Sequence, residues 1–509
     1  MTVLTTAHAP APVPAHAHAP AAAELPLCHA VEAREKCTIA AIIAIAGACY
    51  FLVGSLRYAV FRAGAMDVGF FDQACYLISR GQVPFSSYLH LHILADHASY
   101  VLYLIAGLYW IYPTVQWLFL IQAASMAGAA WPIWRLARDQ NISPSISRAV
   151  VLAYLLYPVV ALATMKDFYP EILVVPALLA MVWCARKRRP VWFLFWVLLA
   201  LSTKEVMFLT VAATGFWLAT LQRRPGYGIL AMALAIPWYF IAARIVIPHY
   251  TANSPHSNMY RFLDYMGSNQ NEILQTLVVH PLVPLAHLLS LKTAFYFLIM
   301  IAPVIWGLSW RHLGPLMGAI PCLAINLLSN VDAFRSPFEH YSWPVVPFIF
   351  LAVISALAAG AGWFKSSQAI IAWTMVLVVI GVAARAREFD FDQAVAGATG
   401  TERRKALAMI NDDGGVLTTH QIATHLSHRK VIQFIFYAPG NQILTLPPPE
   451  QIDWVLFDFN EDSIAAIEPH ATELMQNYQA DPHFRLIYHS GDIYLFHRIA
   501  PGALSGTTN

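Results

Sequence analysis

Apolar residues in this chain gather into long runs separated by short polar turns. A membrane-crossing helix needs about 20 apolar residues. Runs approaching that length fall near 38–57, 114–136, 148–165, 171–185, 191–203, 206–221, 227–247, 291–309, 314–329, 343–362 and 368–385. They predict a polytopic α-helical membrane domain of about 11 transmembrane helices over residues 38–385. Residues 191–221 form one apolar stretch broken only by Thr203-Lys204-Glu205. At about 1.5 Å rise per residue a single straight helix of that length overshoots the bilayer, so two helices with a turn are expected. The stretch 88–112 is apolar but studded with His and Tyr, and it is short for a span between His97 and Pro113. It reads as a helix lying at the outer interface, within an external loop over 58–113.

The pattern changes at both ends. Residues 1–37 open with an Ala/Pro/His tract that cannot bury enough surface to order itself, which predicts a disordered tail. The tail lacks the basic start and apolar core of a signal peptide, so the first span is expected to be retained. After Arg385 the apolar runs shorten to strand length: Val416–Thr419, Val431–Phe436, Trp454–Phe459, Phe484–Tyr488 and Ile493–His497. Helical patterns fit 402–411 and 463–478, and Ser490-Gly491-Asp492 reads as a hairpin turn. Residues 386–509 are therefore expected to form a small soluble α/β domain.

Composition sharpens this reading. Of 509 residues, 58% are hydrophobic and only 12% charged, about half the roughly 25% of a soluble domain. An ordinary soluble enzyme and a disordered protein are excluded. The net charge of +2 leaves no footprint for nucleic acid. The six cysteines are scattered without a CxxC pair, which argues against a disulfide framework or zinc site.

Basic residues set the orientation. Arg135, Arg138, Arg186–Arg189, Arg223, Arg224, Arg311 and Lys365 all fall on the inner side if the first helix runs outward and the 191–221 stretch crosses twice. That topology puts the N-terminus in the cytoplasm and the C-terminal domain outside, with a multi-pass membrane domain between them. It also puts four polar clusters on the outer face.

Charges near a span are costly and need partners or water. The first cluster holds Asp67 and Asp72, five apart and about 140° apart on an ideal helix, with Asp96 and His97 further on. The second is Lys166-Asp167-Phe168-Tyr169-Pro170-Glu171, for which a self-neutralising salt-bridge turn is the competing reading. In the third, Thr203-Lys204-Glu205, Lys204 suits a phosphate, the competing role being an ion pair. The fourth contains Arg335, Glu339 and His340, where the Arg335 fork of donors suits a phosphate. Four clusters on one face suit an enzyme that takes a lipid-linked substrate at the lipid–water boundary. An ion pump or channel more often places such groups at the midplane.

Asp67-x4-Asp72-Gln73, Gly81, Asp96-His97, Asp167-Phe-Tyr-Pro-Glu171, Thr203-Lys204-Glu205 and Glu339-His340-Tyr341 together resemble the bacterial membrane family called domain of unknown function 2079. Thr419-His420-Gln-Ile-Ala-Thr-His425-Leu-Ser-His428-Arg429 resembles its C-terminal portion, and the similarity covers roughly residues 45–500. That family in turn resembles the GT-C membrane glycosyltransferases, such as aminoarabinose transferases and protein O-mannosyltransferases. The resemblance implies an acidic residue after the first helix as the catalytic base. Here Asp72 or Asp67 fills that place, and Gln73 replaces the second acid of the pattern. Thr203-Lys204 is similar to a Thr-Lys-Gly turn of those relatives, with Glu205 in place of Gly.

The function expected is an inverting transfer of sugar from a polyprenyl-phosphate donor to an envelope glycan, lipid or protein acceptor. Lys204, Arg335 and Lys166 are the candidates for the leaving phosphate. His97, Asp167, Glu171, Glu205, Glu339 and His340 are expected around the substrate. A divalent cation, held by Asp167 and Glu171, and a metal-free mechanism are both open. The rival is a lipid or sugar transporter or flippase that uses the same clusters as a binding vestibule without chemistry.

Overall fold

The computed structural model describes residues 24–163, 166–251, 262–384, 398–435, 437–438, 442–443, 449–461, 464 and 468–499. Its first helix, Glu24–Ala59, starts earlier than the apolar run. Residues 24–37, expected as tail, are instead helix, while residues 1–23 lie outside the described part. Charge pairing explains the extension. Glu32 and Lys36 pair at i,i+4 across 2.8 Å, and Glu35 accepts from Trp134 Nε1 at 3.0 Å and meets Arg138 at 3.3 Å.

Among the described residues, three helices are long and apolar enough to cross a membrane: Glu32–Ala59, Pro225–Thr251 and His340–Ala358. Leu282–Leu288 and Leu291–Gly307, bent by 52°, would make a fourth. The other expected spans of the 11 are built from shorter apolar helices. Proline accounts for several breaks, because it lacks the N–H that would bond four residues back. Pro132 removes the bond to Gly128, where Gln116–Gly128 gives way to Ala130–Arg138. Pro158 does the same between Pro144–Leu155 and Pro158–Ala163. The 191–221 stretch is two helices, Pro190–Leu201 and Met207–Thr220, parted at Thr203-Lys204-Glu205. Met207–Thr220 packs on Pro225–Phe240 through two glycines. A Cβ on Gly228 would lie 2.3 Å from Gly215 O, and one on Gly215 2.7 Å from Gly228 O. Small residues at such a contact let helix backbones approach.

The segment after the first helix folds into a π-helical turn Ala65–Gly69, the helix Phe70–Ser79, a hairpin of two-residue strands and the helices Ile93–His97 and Val101–Ile111. Val101–Ile111 spans only about 16 Å at 1.5 Å per residue, well short of a bilayer core. Its outer end bears Trp110 and Ile111, each about three-quarters exposed at 74% and 75%.

The C-terminal part carries a five-stranded mixed sheet in the order Ile432–Phe434, Val416–Thr418, Trp454–Asp458, Ile493–Arg498, Phe484–Ser490. The first three strands are parallel and the last two join antiparallel. Gly491, at φ +57°, turns the final hairpin. Ala398–Met409 and Glu468–Ala480 are its helices. This part does not stand apart from the membrane part. Ala406, Val416, Ile422, Ile432, Trp454 and Leu495 belong to the same apolar core as the transmembrane helices. Leu417, Val455, Phe457 and Phe496 form a second core on the other side of the sheet.

Candidate functional site

Polar residues from four distant segments meet near the loop that follows the first helix. Lys204 sits in the turn between Pro190–Leu201 and Met207–Thr220, and Glu171 in the one-turn helix Pro170–Leu173. Both are buried, and Lys204 Nζ donates to Glu171 Oε1 at 2.8 Å. Burial opposes the ionised Glu171 most strongly of any single cause, but the Lys204 ammonium, its hydrogen bond and the nearby His340 and His97 together hold the carboxyl down to about 2. Burial likewise opposes the charged Lys204, and Glu171 keeps it protonated. His340 Nε2 is 4.0 Å from Glu171, its ring stacked 3.7 Å from that of Tyr169. The Tyr169 hydroxyl donates to Asp67 Oδ1. Burial and the nearby Asp167 raise the Asp67 carboxyl to about 7.

The rim of this cluster is also paired. Lys166 Nζ donates to Glu339 Oε1 at 2.7 Å, and His97 Nδ1 lies 3.1 Å from Glu205 Oε2. Asp167 accepts from Gly64 N at 3.0 Å and from Arg57 at 3.4 Å. Gly64 is needed there by space: a Cβ would lie 2.6 Å from His420 Nε2 and 3.1 Å from Asp167 Oδ2. The interface segment closes the arrangement from above. Ser99 Oγ donates to Thr203 O at 2.8 Å, and Val101 N to Ser202 O at 3.1 Å. Carboxyls outnumber fixed cations here, with Asp67, Asp167, Glu171, Glu205 and Glu339 against Arg57, Lys166 and Lys204. Asp167 and Glu171 turn to different partners, Gly64 and Arg57 for one and Lys204 for the other. Among the described residues no group of three or more His, Cys, Asp or Glu is arranged to hold a metal ion.

Asp72 lies elsewhere. It is fully buried, and Oδ1 accepts from Tyr109 Oη at 2.6 Å. Oδ2 accepts from Ser427 Oγ and faces His428 Nε2 at 3.1 Å. The His428 ring stacks on Tyr76, with centroids 4.6 Å apart. Burial lowers the affinity of His428 for a proton, yet the Asp72 carboxylate raises it above the ordinary histidine value. A cavity of about 270 Å³ opens beside this pair, walled by Tyr58, Asp72, Pro113–Gln116 and Thr424–Arg429. Gln73, which stands where the resemblance expects a second acid, fastens the C-terminal part to the loop. Its Nε2 donates to Ser87 Oγ at 2.8 Å and to Arg429 O at 3.0 Å. Ser87 Oγ in turn donates to Ile432 O at 2.6 Å and accepts from Ile432 N at 2.9 Å.

Arg335 is turned toward a third set of partners. Its guanidinium meets Asp332 at 3.6 Å and Ser290 Oγ at 3.4 Å. Thus Asp67, Lys166, Asp167, Glu171, Lys204, Glu205, His97, Glu339 and His340 are neighbours or near neighbours, while Asp72 and Arg335 stand in separate surroundings. Ser427, His425 and His428 were not among the expected site residues. The available signal was three histidines within nine positions, His420, His425 and His428, in an otherwise ordinary soluble segment.

The fold has a counterpart among solved structures. It is shared with ArnT from Cupriavidus metallidurans, a GT-C glycosyltransferase, in a crystal structure bound to undecaprenyl phosphate. The TM-score is 0.51 at 11% identity, with 90% of this chain and 98% of that one covered. The same protein in its apo state matches at 0.51 and 12%, covering 89% and 98%. The chain itself belongs to the family of predicted membrane proteins DUF2079, whose pattern it matches over residues 57–494. No curated protein matches it by sequence.

Proposed function

We propose that this protein is a membrane glycosyltransferase that moves a sugar from a polyprenyl-phosphate donor to an extracytoplasmic envelope acceptor. The observation that carries the reading is the convergence of Asp67, Tyr169, Glu171, Lys204 and His340 at one place beside the outer interface segment. That ArnT, with the same fold, binds undecaprenyl phosphate supports a lipid-phosphate partner here. The broken helices are then segments of about 11 crossings of the bacterial inner membrane. Residues 1–37 lie in the cytoplasm, residues 38–385 form the membrane domain, and residues 386–509 lie outside.

In an inverting transfer a carboxylate takes the acceptor hydroxyl proton as that oxygen attacks the anomeric carbon, and the lipid phosphate leaves with the bonding pair. Asp72 borders a cavity that admits an acceptor. Asp67 has a proton affinity near neutrality, where a general base works best. Lys204 can exchange Glu171 for the leaving phosphate, with Lys166 and Arg335 as further cations. Replacing the true base with Asn lowers turnover by about 10²–10⁴-fold while the lipid donor still binds. Full turnover in both Asp67→Asn and Asp72→Asn removes both from the role. Absence of any transfer by the wild-type protein across a range of polyprenyl-phosphate sugars removes the reading itself.

A further inference from the structure

The cavity beside Asp72 is built from both ends of the chain. Tyr58 and Asp72 come from the first helix and external loop, Pro113–Gln116 from the entry to the helix Gln116–Gly128, and Thr424–Arg429 from the C-terminal part. Its volume of about 270 Å³ equals roughly nine waters at ~30 Å³ each, room for one sugar ring. We propose that it is a binding site for a neutral polyhydroxyl ligand, a single pyranose or furanose unit, recognised jointly by Asp72, His425 and His428.

Chemistry on the walls selects this class. The His425 ring lies against Tyr58, with centroids 4.0 Å apart, and among the described residues its buried Nε2 has no hydrogen-bond partner. Burial pushes its proton affinity down to about 4, so at neutral pH the ring is uncharged. An uncharged imidazole with an unused nitrogen in a cavity wall calls for a ligand hydroxyl. Asp72 has about four lone-pair sites; Tyr109 and Ser427 donate to two of them, and His428 Nε2 lies 3.1 Å from Oδ2 without hydrogen-bond geometry. A remaining site accepts one more donor, and Gln116 and Thr114 add an amide and a hydroxyl to the wall.

Other ligand classes fit less well. A phosphate or carboxylate would face the Asp72 carboxylate, while His428 is already set against Asp72 and the Arg429 guanidinium already donates to Leu426 O and Gly414 O, each at 2.8 Å. A cation would lie beside Arg429 and the Asp72-raised His428. An apolar group would leave the His425 nitrogen and the Asp72 lone pair buried and unpaired, at about 1–3 kcal/mol each. A neutral ring with hydroxyls at its edge satisfies both. That this ring belongs to the acceptor rests on the transferase reading; the binding itself does not.

The test uses the full-length protein in lipid nanodiscs, free of sugar-based detergent, with methyl mannoside, methyl galactoside, methyl glucoside and methyl arabinofuranoside as probes. Saturation-transfer NMR reports contact. His425→Phe keeps a ring against Tyr58 but removes the nitrogen, and His428→Asn removes the imidazole beside Asp72. Thermal melting of each variant confirms that it is folded. The expected result is binding of at least one glycoside, weakened about tenfold or more in the folded variants. If the first variant does not fold, His425→Leu replaces it. No contact with any of the four probes overturns the site, as does contact that is unchanged in folded variants of both histidines. Glycoside binding here without any transfer from a lipid donor leaves the site and removes the transferase. Transfer without glycoside binding does the reverse.

Discussion

His428 Nε2 lies 3.1 Å from Asp72 Oδ2, so the C-terminal part places an imidazole directly against the loop that follows the first helix. The contact has a pH signature. Burial works against the imidazolium, but Asp72 raises its proton affinity above the ordinary value. A raised histidine stabilises the folded state fully below the unfolded value of about 6.5, and this contribution is lost as pH rises through the folded value. Hydrogen exchange of the Thr424–Arg429 backbone is therefore expected to quicken between pH 6 and 9 beyond its intrinsic pH dependence. His428→Gln should remove that excess. An excess of equal size in the variant assigns the effect to another group.

Glu171 and Lys204 form the opposite case, a buried pair in which a carboxyl is held down. Removing Lys204 leaves Glu171 buried without its cation, which costs about 3–5 kcal/mol. Lys204→Met is expected to lower the melting temperature in detergent strongly, and Lys204→Met with Glu171→Leu to recover most of the loss. The depressed carboxyl contributes stability above its unfolded value of about 4.5 and loses it as pH falls toward 2. Melting curves between pH 6 and 3 check this, since Glu171→Gln should flatten part of the acid loss.

Asp67 behaves differently because burial and Asp167 raise its carboxyl to about 7. Between the unfolded value near 4 and about 7 the folded protein holds a proton that the unfolded chain has released. Stability from this group therefore falls as pH rises through that window. Asp67→Asn, which cannot ionise, is expected to be the more stable protein at pH 8 and to lose the advantage at pH 4. Equal stability at both pH values would place the proton elsewhere.

How much of this was legible in the sequence differs from element to element. The C-terminal strands were visible because short β-branched and aromatic runs are bounded by turn residues, and Gly491 marked the last hairpin. The break at Thr203-Lys204-Glu205 was visible from charge inside an apolar stretch. That Lys204 needs a partner followed from the same fact, but the partner is Glu171 rather than its neighbour Glu205. The interruptions at Pro132 and Pro158 were hidden because hydropathy stays high across them. The pairing of Asp72 with His428 left no local pattern at all, since it joins opposite ends of the chain. Gln73 read as a missing acid, and the structure uses it as a clasp on Arg429 and Ser87.

Topology has its own check. The basic residues at Arg186–Arg189 are expected on the cytoplasmic side and residue 395 on the outer side. Reporter fusions at the two positions should therefore report opposite compartments. The same compartment for both removes the 11-crossing arrangement and the outer placement of the polar cluster.

The central claim is that the sugar–phosphate bond is broken, not that a lipid-linked sugar is merely held or carried. The most direct measurement uses the purified full-length protein in vesicles with a polyprenyl-phosphate sugar labelled in the sugar, together with an envelope extract as acceptor. Chromatography then follows free lipid phosphate and labelled product. The account predicts that both rise together, at a rate lowered about 10²–10⁴-fold by Asn at Asp67 or at Asp72. Labelled lipid that moves between leaflets with its sugar still attached, and no free lipid phosphate at any time, would contradict it.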